Sequence, residues 1–149
     1  MTSATLRPFE AGDLRRILAI ENESFGVDAW PAELFREYAA DPHCCFIVAE
    51  LGRTAAGYSI AVPRRGGFEI DSIAVRPSAR GKGIGAHLLR DAIGKARRSG
   101  AAFVSLTVRR DNAAAIALYR KFGFVRTATV PGYYEDGAAG WRMRLRLSR

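Results

Sequence analysis

Arg80-Gly81-Lys82-Gly83-Ile84-Gly85 lies between a strand pattern, Phe68 to Val75, and the longest clean helix signal in the chain. In that helix Gly85, Leu88, Leu89, Ala92, Ile93 and Ala96 recur at helical spacing and make one apolar stripe, which Gly100 closes. The opening of a helix leaves amide N–H groups without partners and carries partial positive charge. A strand, a glycine loop and a helix in this order therefore form a cradle for a pyrophosphate. Glycine lets the backbone approach a phosphate closely and turn through positive φ, and Arg80 and Lys82 add positive charge. The loop is not a Walker loop, because it lacks the Gly-Lys-Ser/Thr ending. Nor is it a Rossmann fingerprint, since its glycines fall at 81, 83 and 85.

Strands and helices alternate on either side of this unit. Downstream, Ala102 to Val108 reads as a strand, and Asn112 caps a helix with Ala115, Leu118, Tyr119 and Phe122 on one face. Phe124 to Val130 and Trp141 to Leu147 alternate apolar and polar residues, separated by Pro131 to Gly140. Upstream, Ala4 to Phe9 is a short strand, and Asp13 is placed to cap a helix carrying Leu14, Ile17, Leu18 and Ile20. Pro31 is placed to begin a second helix with Leu34, Phe35 and Tyr38. Cys44 to Leu51 and Ala55 to Val62 read as a hairpin about Gly52-Arg53-Thr54. The predicted fold class is α/β (α+β), with a mostly antiparallel mixed sheet of six to seven strands and helices on both faces. If the strands around the central helix are parallel, that unit is a right-handed crossover. With no repeat, low-complexity tract or Ser/Pro linker, residues 1–149 read as one domain.

The 149 residues are 48% hydrophobic and 26% charged, which excludes bulk disorder and collagen-like or mucin-like builds. No stretch approaches the run of roughly 18 apolar residues that a membrane span needs. Met1 to Pro8 lacks a basic segment followed by an apolar one, so no secretory leader is expected. Cys44 and Cys45 are adjacent and neither staple a fold nor make a metal site by themselves. His43 and His87 have no partner at ligand spacing, so they read as structural and no metal is expected. The expectation is a cytoplasmic, reduced protein. Charge is divided unevenly: residues 1–75 hold 7 basic and 11 acidic side chains, and residues 76–149 hold 16 basic and 4 acidic. The basic half would suit nucleic acid, an acidic protein or a phosphorylated cofactor, or would be plain solvated surface. It shows no interleaving of exposed aromatic and basic residues, so nucleic acid is not the expected partner. The Arg97-Arg98 and Arg109-Arg110 pairs read as solvated positive surface.

Ile73-Ala74-Val75-Arg76-Pro77, the loop at 80–85, Asn112-Ala113-Ala114-Ala115-Ile116-Ala117-Leu118-Tyr119 and Gly123-Phe124 together resemble the GNAT superfamily of acetyl-CoA-dependent N-acetyltransferases. Within it the chain looks most like the bacterial ribosomal-protein-alanine N-acetyltransferases. The resemblance spans roughly Leu6 to Leu147 and is strongest over 72–124. It implies that the backbone of Ile73, Ala74 and Val75 pairs with the acetyl and pantetheine groups of acetyl-CoA. Gly81, Lys82, Gly83, Ile84, Gly85 and Ala86 would hold the pyrophosphate, with Arg80 at the family's Gln/Arg position. Asn112 is both an N-cap and a neighbour of the pantetheine arm. Tyr119 would hydrogen-bond to or protonate the departing thiolate, which the ordinary pKa values of a phenol, about 10, and a thiol, about 8.5, permit; an apolar helix stripe would also account for it.

The resemblance implies direct attack by a primary amine on the acetyl thioester. An α-amino group, with a pKa of about 7.7 to 8.0, needs less help from a base than a lysine at about 10.4. The ribosomal-protein enzymes place a Glu, their proposed base, where this chain has Thr107, which cannot accept a proton near neutral pH. Glu69 is the preferred replacement, with Asp71 and Glu135 as alternatives, and each also reads as a plain surface charge. The acceptor loops of the resembling enzymes correspond to Phe25 through Trp30 and Pro131 through Gly137. Phe25, Trp30, Tyr133 and Tyr134 are thus candidate acceptor contacts, although Phe25 and Trp30 would equally plug two helices together. Where the resembling enzymes continue with acidic residues after Gly137, this chain has Ala138-Ala139-Gly140. Three readings follow: acetylation of a protein N-terminus, acetylation of a small amine such as a polyamine, amino acid or aminoglycoside, and non-catalytic binding of acetyl-CoA or nucleic acid. Monomer and homodimer are both open.

Overall fold

The computed structural model describes residues 3–147; Met1 and Thr2, the start of the stretch read for a leader, lie outside them, as do residues 148 and 149. The order is β1 Thr5–Pro8, α1 Leu14–Phe25, α2 Ala32–Ala40, β2 Cys45–Leu51, β3 Thr54–Arg64, β4 Gly67–Val75, α3 Ile84–Arg98, β5 Phe103–Arg109, α4 Ala113–Lys121, β6 Val125–Val130 and β7 Gly140–Arg146. Short 3-10 turns lie at Ala11–Asp13, Gly26–Asp28 and Pro77–Ala79. The seven strands form one sheet in the order β1-β2-β3-β4-β5-β7-β6. Every neighbouring pair is antiparallel except β4 with β5.

The apolar stripe of α3 is buried at Ile84, Leu88, Leu89, Ala92, Ile93 and Ala96. Its last turn carries Lys95, Arg97 and Arg98, which suits the negative end of the helix dipole. α3 and α4 pack on one face of the sheet, where Leu89, Ile93, Ile116 and Tyr119 meet Phe68, Ile70, Leu106 and Met143. α1 and α2 pack on the other, where Ile17, Ile20 and Phe35 meet Phe46, Val48, Tyr58 and Ile60. Two expected helix starts differ in detail. Asp13 makes no capping bond to α1, because its carboxylate is taken by Arg7 at 2.8 Å and by the Glu10 amide. Pro31 is the N-cap of α2 rather than its first helical residue, and its extended backbone turns the chain into the helix.

Two irregularities of β4 position the site. Its register with β3 slips by one residue: Ile60 pairs with Ser72 and Ala61 with Ile70, which leaves Asp71 as the extra residue of a β-bulge. Before the bulge Phe68 and Ile70 face α3 and α4, whereas beyond it Ala74 faces α1 and α2. On its other side β4 pairs with β5 only from Phe68 to Ile70, opposite Val104 to Leu106. Past that point the two strands diverge, and a gap opens in the middle of the sheet.

Candidate functional site

The glycine loop has the geometry its sequence requires. Gly81 and Gly83 have φ of 78° and 80°, and a Cβ on either would meet nothing within 4 Å. The loop therefore offers bare backbone to solvent. The first helical bond of α3 runs from the His87 amide to the Gly83 carbonyl at 3.0 Å, so the amides of Ile84, Gly85 and Ala86 have no partner within the helix. Gly81, Lys82, Gly83 and Ile84 line a groove of about 870 Å³ whose cations are Arg76, Lys82 and Arg90. These donors and charges fit a diphosphate. His87, read as purely structural, lines the same groove. The side chain of Arg80 turns away from the loop: its Nε donates to the Val75 carbonyl at 3.0 Å and its Nη2 to the Ser24 hydroxyl at 3.3 Å.

A second cavity, of about 630 Å³, occupies the divergence of β4 and β5. Ile73, Asn112 and Tyr119 line it, as do Glu69, Asp71, Phe25, Trp30, Tyr133 and Tyr134, so candidates from four separate stretches of sequence meet there. Thr107 lines it too, while Glu135 does not. Ala74 packs into the core beneath α1, and Val75 packs against the apolar cluster that holds Ile84 and Leu88. Gly85, at the first turn of α3, lies against Leu118 and Val75, where a Cβ would stand 3.5 Å from the Leu118 side chain. Asn112 caps α4, its Oδ1 accepting the Ala115 amide at 3.2 Å.

Tyr119 reaches the cavity from the α4 side. Its ring tilts against Phe124 with centroids 5.8 Å apart, and burial pushes the phenol above its ordinary pKa, with Tyr134 adding to the effect. Across the gap stand two carboxylates. Asp71 accepts the Tyr38 hydroxyl at 2.5 Å and Arg64 Nη2 at 3.2 Å. Glu69 accepts Arg64 Nε at 3.1 Å and lies 3.7 Å from Arg142. Burial, and then the neighbouring Glu69, push Asp71 up to about 7; the Tyr38 hydrogen bond and Arg64 pull the other way without prevailing. The bulge explains the difference between these acids, because it moves Asp71 off the regular ladder and into the cavity beneath Tyr38. Tyr38 is itself held by Trp30, stacked at 5.5 Å.

Three residues outside the expected site organise it. Glu21, buried on α1, accepts the Trp30 amide at 2.9 Å and the hydroxyl of Tyr58, which also lies 3.0 Å from Ser72 on β4. This chain of bonds ties the loop after α1 to the strand that borders the gap. Arg109, read as solvated surface, is a junction instead: it bonds Asp28 at 2.8 Å, Asp111 at 3.2 Å and Asp136 at 2.6 Å, and lies over the Tyr134 ring at 4.9 Å. The loop after α1 and the loop between β6 and β7 are thus fastened to the end of β5. Tyr38 is the third. A glutamate on an otherwise apolar helix face was the available sign of Glu21, while Tyr38 meets Asp71, 33 residues away, and Arg109 meets Asp28, 81 residues away, pairs that spacing does not bring together.

Residues 14–124 match the acetyltransferase (GNAT) family. The chain belongs to that family. As a GNAT member it is an acyl-transferring enzyme, and the fold expected from the resemblance is the one found. The N-alpha-acetyltransferase RimI of Mycobacterium tuberculosis is 37% identical over 147 residues, covering 94% of this chain and 90% of that protein. The crystal structure of the ribosomal-protein-S18-alanine N-acetyltransferase from Escherichia coli matches with a TM-score of 0.88 at 28% identity, over 98% of this chain and 95% of that one. Ard1 from Thermoplasma volcanium matches with a TM-score of 0.93 at 26% identity, over 99% of both chains. Among the described residues no helix is long and apolar enough to cross a membrane, and no group of three or more His, Cys, Asp or Glu is placed to hold a metal. Cys44 and Cys45 are free thiols, and burial pushes Cys44 up to about 12, so it stays protonated.

Proposed function

We propose that this GNAT enzyme transfers the acetyl group of acetyl-CoA to the α-amino group at the N-terminus of a polypeptide. The observation that carries the reading is the cavity through the sheet, with Tyr119 on the α4 side of the gap and the Asp71 carboxylate on the other. Support for a polypeptide acceptor comes from the M. tuberculosis relative, named as an N-alpha-acetyltransferase, at 37% identity over 94% of this chain. Acetyl-CoA supplies the activated acetyl group. The unpartnered amides of Ile84, Gly85 and Ala86, with Lys82, hold its diphosphate, and the rift-facing edge of β4 from Ile73 to Val75, its Val75 carbonyl taken by Arg80, aligns the arm.

On the acceptor side the first task is to remove a proton, because an ammonium has no lone pair. Asp71, raised to about 7, is matched to an α-amino group of about 7.7 to 8.0. Near neutral pH roughly half of it is ionised, and that fraction is basic enough to take the proton directly or through one water. This assignment replaces Glu69, the base preferred from sequence, which lies nearer solvent and is engaged by two arginines. The amine then attacks the acetyl carbonyl, the carbon–sulfur bond breaks, and the thiolate leaves beside Tyr119, taking up directly or through water the proton that the nitrogen loses as it becomes an amide. With its pKa raised, Tyr119 keeps its proton and serves as a hydrogen-bond donor to the thiolate sulfur; complete transfer to a group of pKa about 8.5 would be uphill.

The test is a thiol-release assay with acetyl-CoA, comparing peptides of varied N-termini against lysine, polyamine and aminoglycoside amines, with the product located by mass spectrometry. Acetyl on the peptide α-nitrogen is the expected product. Turnover confined to the small amines would overturn the reading.

A further inference from the structure

On β7 the residues Arg142, Arg144 and Arg146 alternate, so all three occupy one face of the sheet. Their β5 partners in the ladder are Thr107, Ser105 and Phe103. This is the face on which α1 and α2 cover the other half of the sheet, but their packing reaches only as far as β4, and α4 lies on the opposite face. Arg144 and Arg146 are exposed, and among the described residues neither forms an ion pair. Among the described residues Arg142 forms an ion pair with Glu69 alone, at 3.7 Å, and it lines the cavity. The row therefore begins at the rim of the acceptor site and runs outward over bare sheet, with successive guanidinium positions about 7 Å apart.

Arg144 is also held in place. Its guanidinium lies 3.8 Å from the centroid of the Phe103 ring, and that ring covers Gly67, where a Cβ would stand 2.4 Å from it. The absence of a side chain at Gly67 is what lets the ring lie flat, and the ring in turn props the arginine on the open face. An arginine supported in this way loses less freedom when it meets a carboxylate than one that is free in solvent.

Building on the reading that the acceptor is a polypeptide N-terminus, we infer that this arginine row is the docking track for an acidic segment of the acceptor, downstream of the amine that is acetylated. An extended chain advances about 3.4 Å per residue, so its alternate side chains keep the same repeat as the arginines. An amine beside Asp71 would then place carboxylates from roughly position three to position seven against Arg144 and Arg146. The site is polarised to match: Glu69 and Asp71 meet the positive terminus, and the arginines meet negative charge beyond it. The same features disfavour a nucleic-acid strand. Glu69 and Asp71 stand at the head of the row and repel phosphates. The rings beside the arginine row are also already covered, Phe103 by Arg144, and Trp141 on the other face by Arg126 and Arg120 at 4.8 and 5.6 Å. Neither of these two rings offers an open face for a base to stack on.

The experiment compares three peptides that share their first two residues and carry Asp, Ser or Lys at alternate positions from three to seven. Each is assayed at low and at high salt with the native enzyme and with the Arg144→Glu/Arg146→Glu double variant. The expected result is a KM for the Asp peptide about five- to tenfold below that of the Ser peptide at low salt, the gap closing toward 1 M salt. The double variant is expected to prefer the Lys peptide, an inversion that a misfolded protein cannot produce. Acetylation of all three peptides with equal KM would overturn the track while leaving the polypeptide acceptor intact. Failure to acetylate any peptide, with small amines turned over, would remove both. Equal peptide KM values together with Arg144-dependent inhibition by single-stranded RNA would assign the row to nucleic acid and overturn the proposal.

Discussion

Arg109 and Asp28, 81 residues apart in the chain, are joined by a 2.8 Å hydrogen-bonded ion pair that fastens the loop after α1 to the end of β5. Because the same guanidinium also holds Asp136 and covers Tyr134, one side chain joins two loops that border the cavity. Replacing Arg109 by methionine keeps the bulk and removes every ion pair. The expected outcome is a KM for peptide raised about tenfold or more, with the KM for acetyl-CoA unchanged, since the diphosphate loop is elsewhere. Asp28→Asn is expected to give a smaller effect in the same direction. Steady-state kinetics with each substrate varied in turn would decide it; equal loss for both substrates would contradict this division of labour.

Tyr119→Phe removes one hydroxyl from a ring that stays packed against Phe124. If that hydroxyl steadies the leaving thiolate, kcat falls by about a hundredfold while calorimetry finds acetyl-CoA bound as before. Unchanged turnover would take Tyr119 out of the mechanism.

As the proposed base, Asp71 would tie activity to pH. Its ordinary pKa of 3.8 is raised to about 7 in the folded protein, so kcat/KM is expected to rise with pH through about 7. Asp71→Asn should abolish that limb and cost about a hundredfold in rate. Stability moves the opposite way. The folded state binds this proton more tightly than the unfolded chain does, so stability falls as pH climbs from 3.8 to about 7 and then levels off. Thermal unfolding of native enzyme and Asp71→Asn at pH 5 and pH 8 should show the variant gaining relative stability at pH 8. Parallel melting curves would argue against the raised pKa.

Much of this site could be read from local pattern. The glycine loop, the stripe of α3 and the Asn112 cap are set by neighbours a few residues away, and they appear where expected. The bulge at Asp71 was not legible, because Glu69 through Ala74 reads as an unbroken strand and only pairing with β3 exposes the extra residue. Asp71 and Glu69 looked equivalent for the same reason. Arg109 next to Arg110 looked like ordinary surface, since its three aspartates come from separate loops. Asp13 had the right position to cap α1, but Arg7 offered a charged partner, and a charge-assisted bond wins over a neutral amide.

Glu21 gives a stability prediction. Burial raises its pKa, while the Tyr58 hydroxyl and the Trp30 amide act to lower it. Glu21→Ala leaves the Trp30 amide without an acceptor, at about 1–3 kcal/mol, leaves the Tyr58 hydroxyl only Ser72 as a partner, and should release the loop after α1. Denaturant unfolding should show the loss, and Glu21→Gln, which keeps an acceptor oxygen, should recover part of it. A Glu21→Ala midpoint equal to that of the native enzyme would show that the loop is held by other means.

The parting of β4 from β5 also bears on how the protein is handled. Proteins blunt the outer rims of a sheet with charge, bulges or short strands, and here the bulge at Asp71 and the Arg80 bond to the Val75 carbonyl guard only part of the rift between two central strands. The two facing rims, beyond Ile70 and beyond Leu106, are templates for any extended segment that reaches them. If the coenzyme arm fills the rift as proposed, it takes the place of a rung, and coenzyme-free protein is then expected to aggregate faster than protein held with CoA, a difference that light scattering would measure.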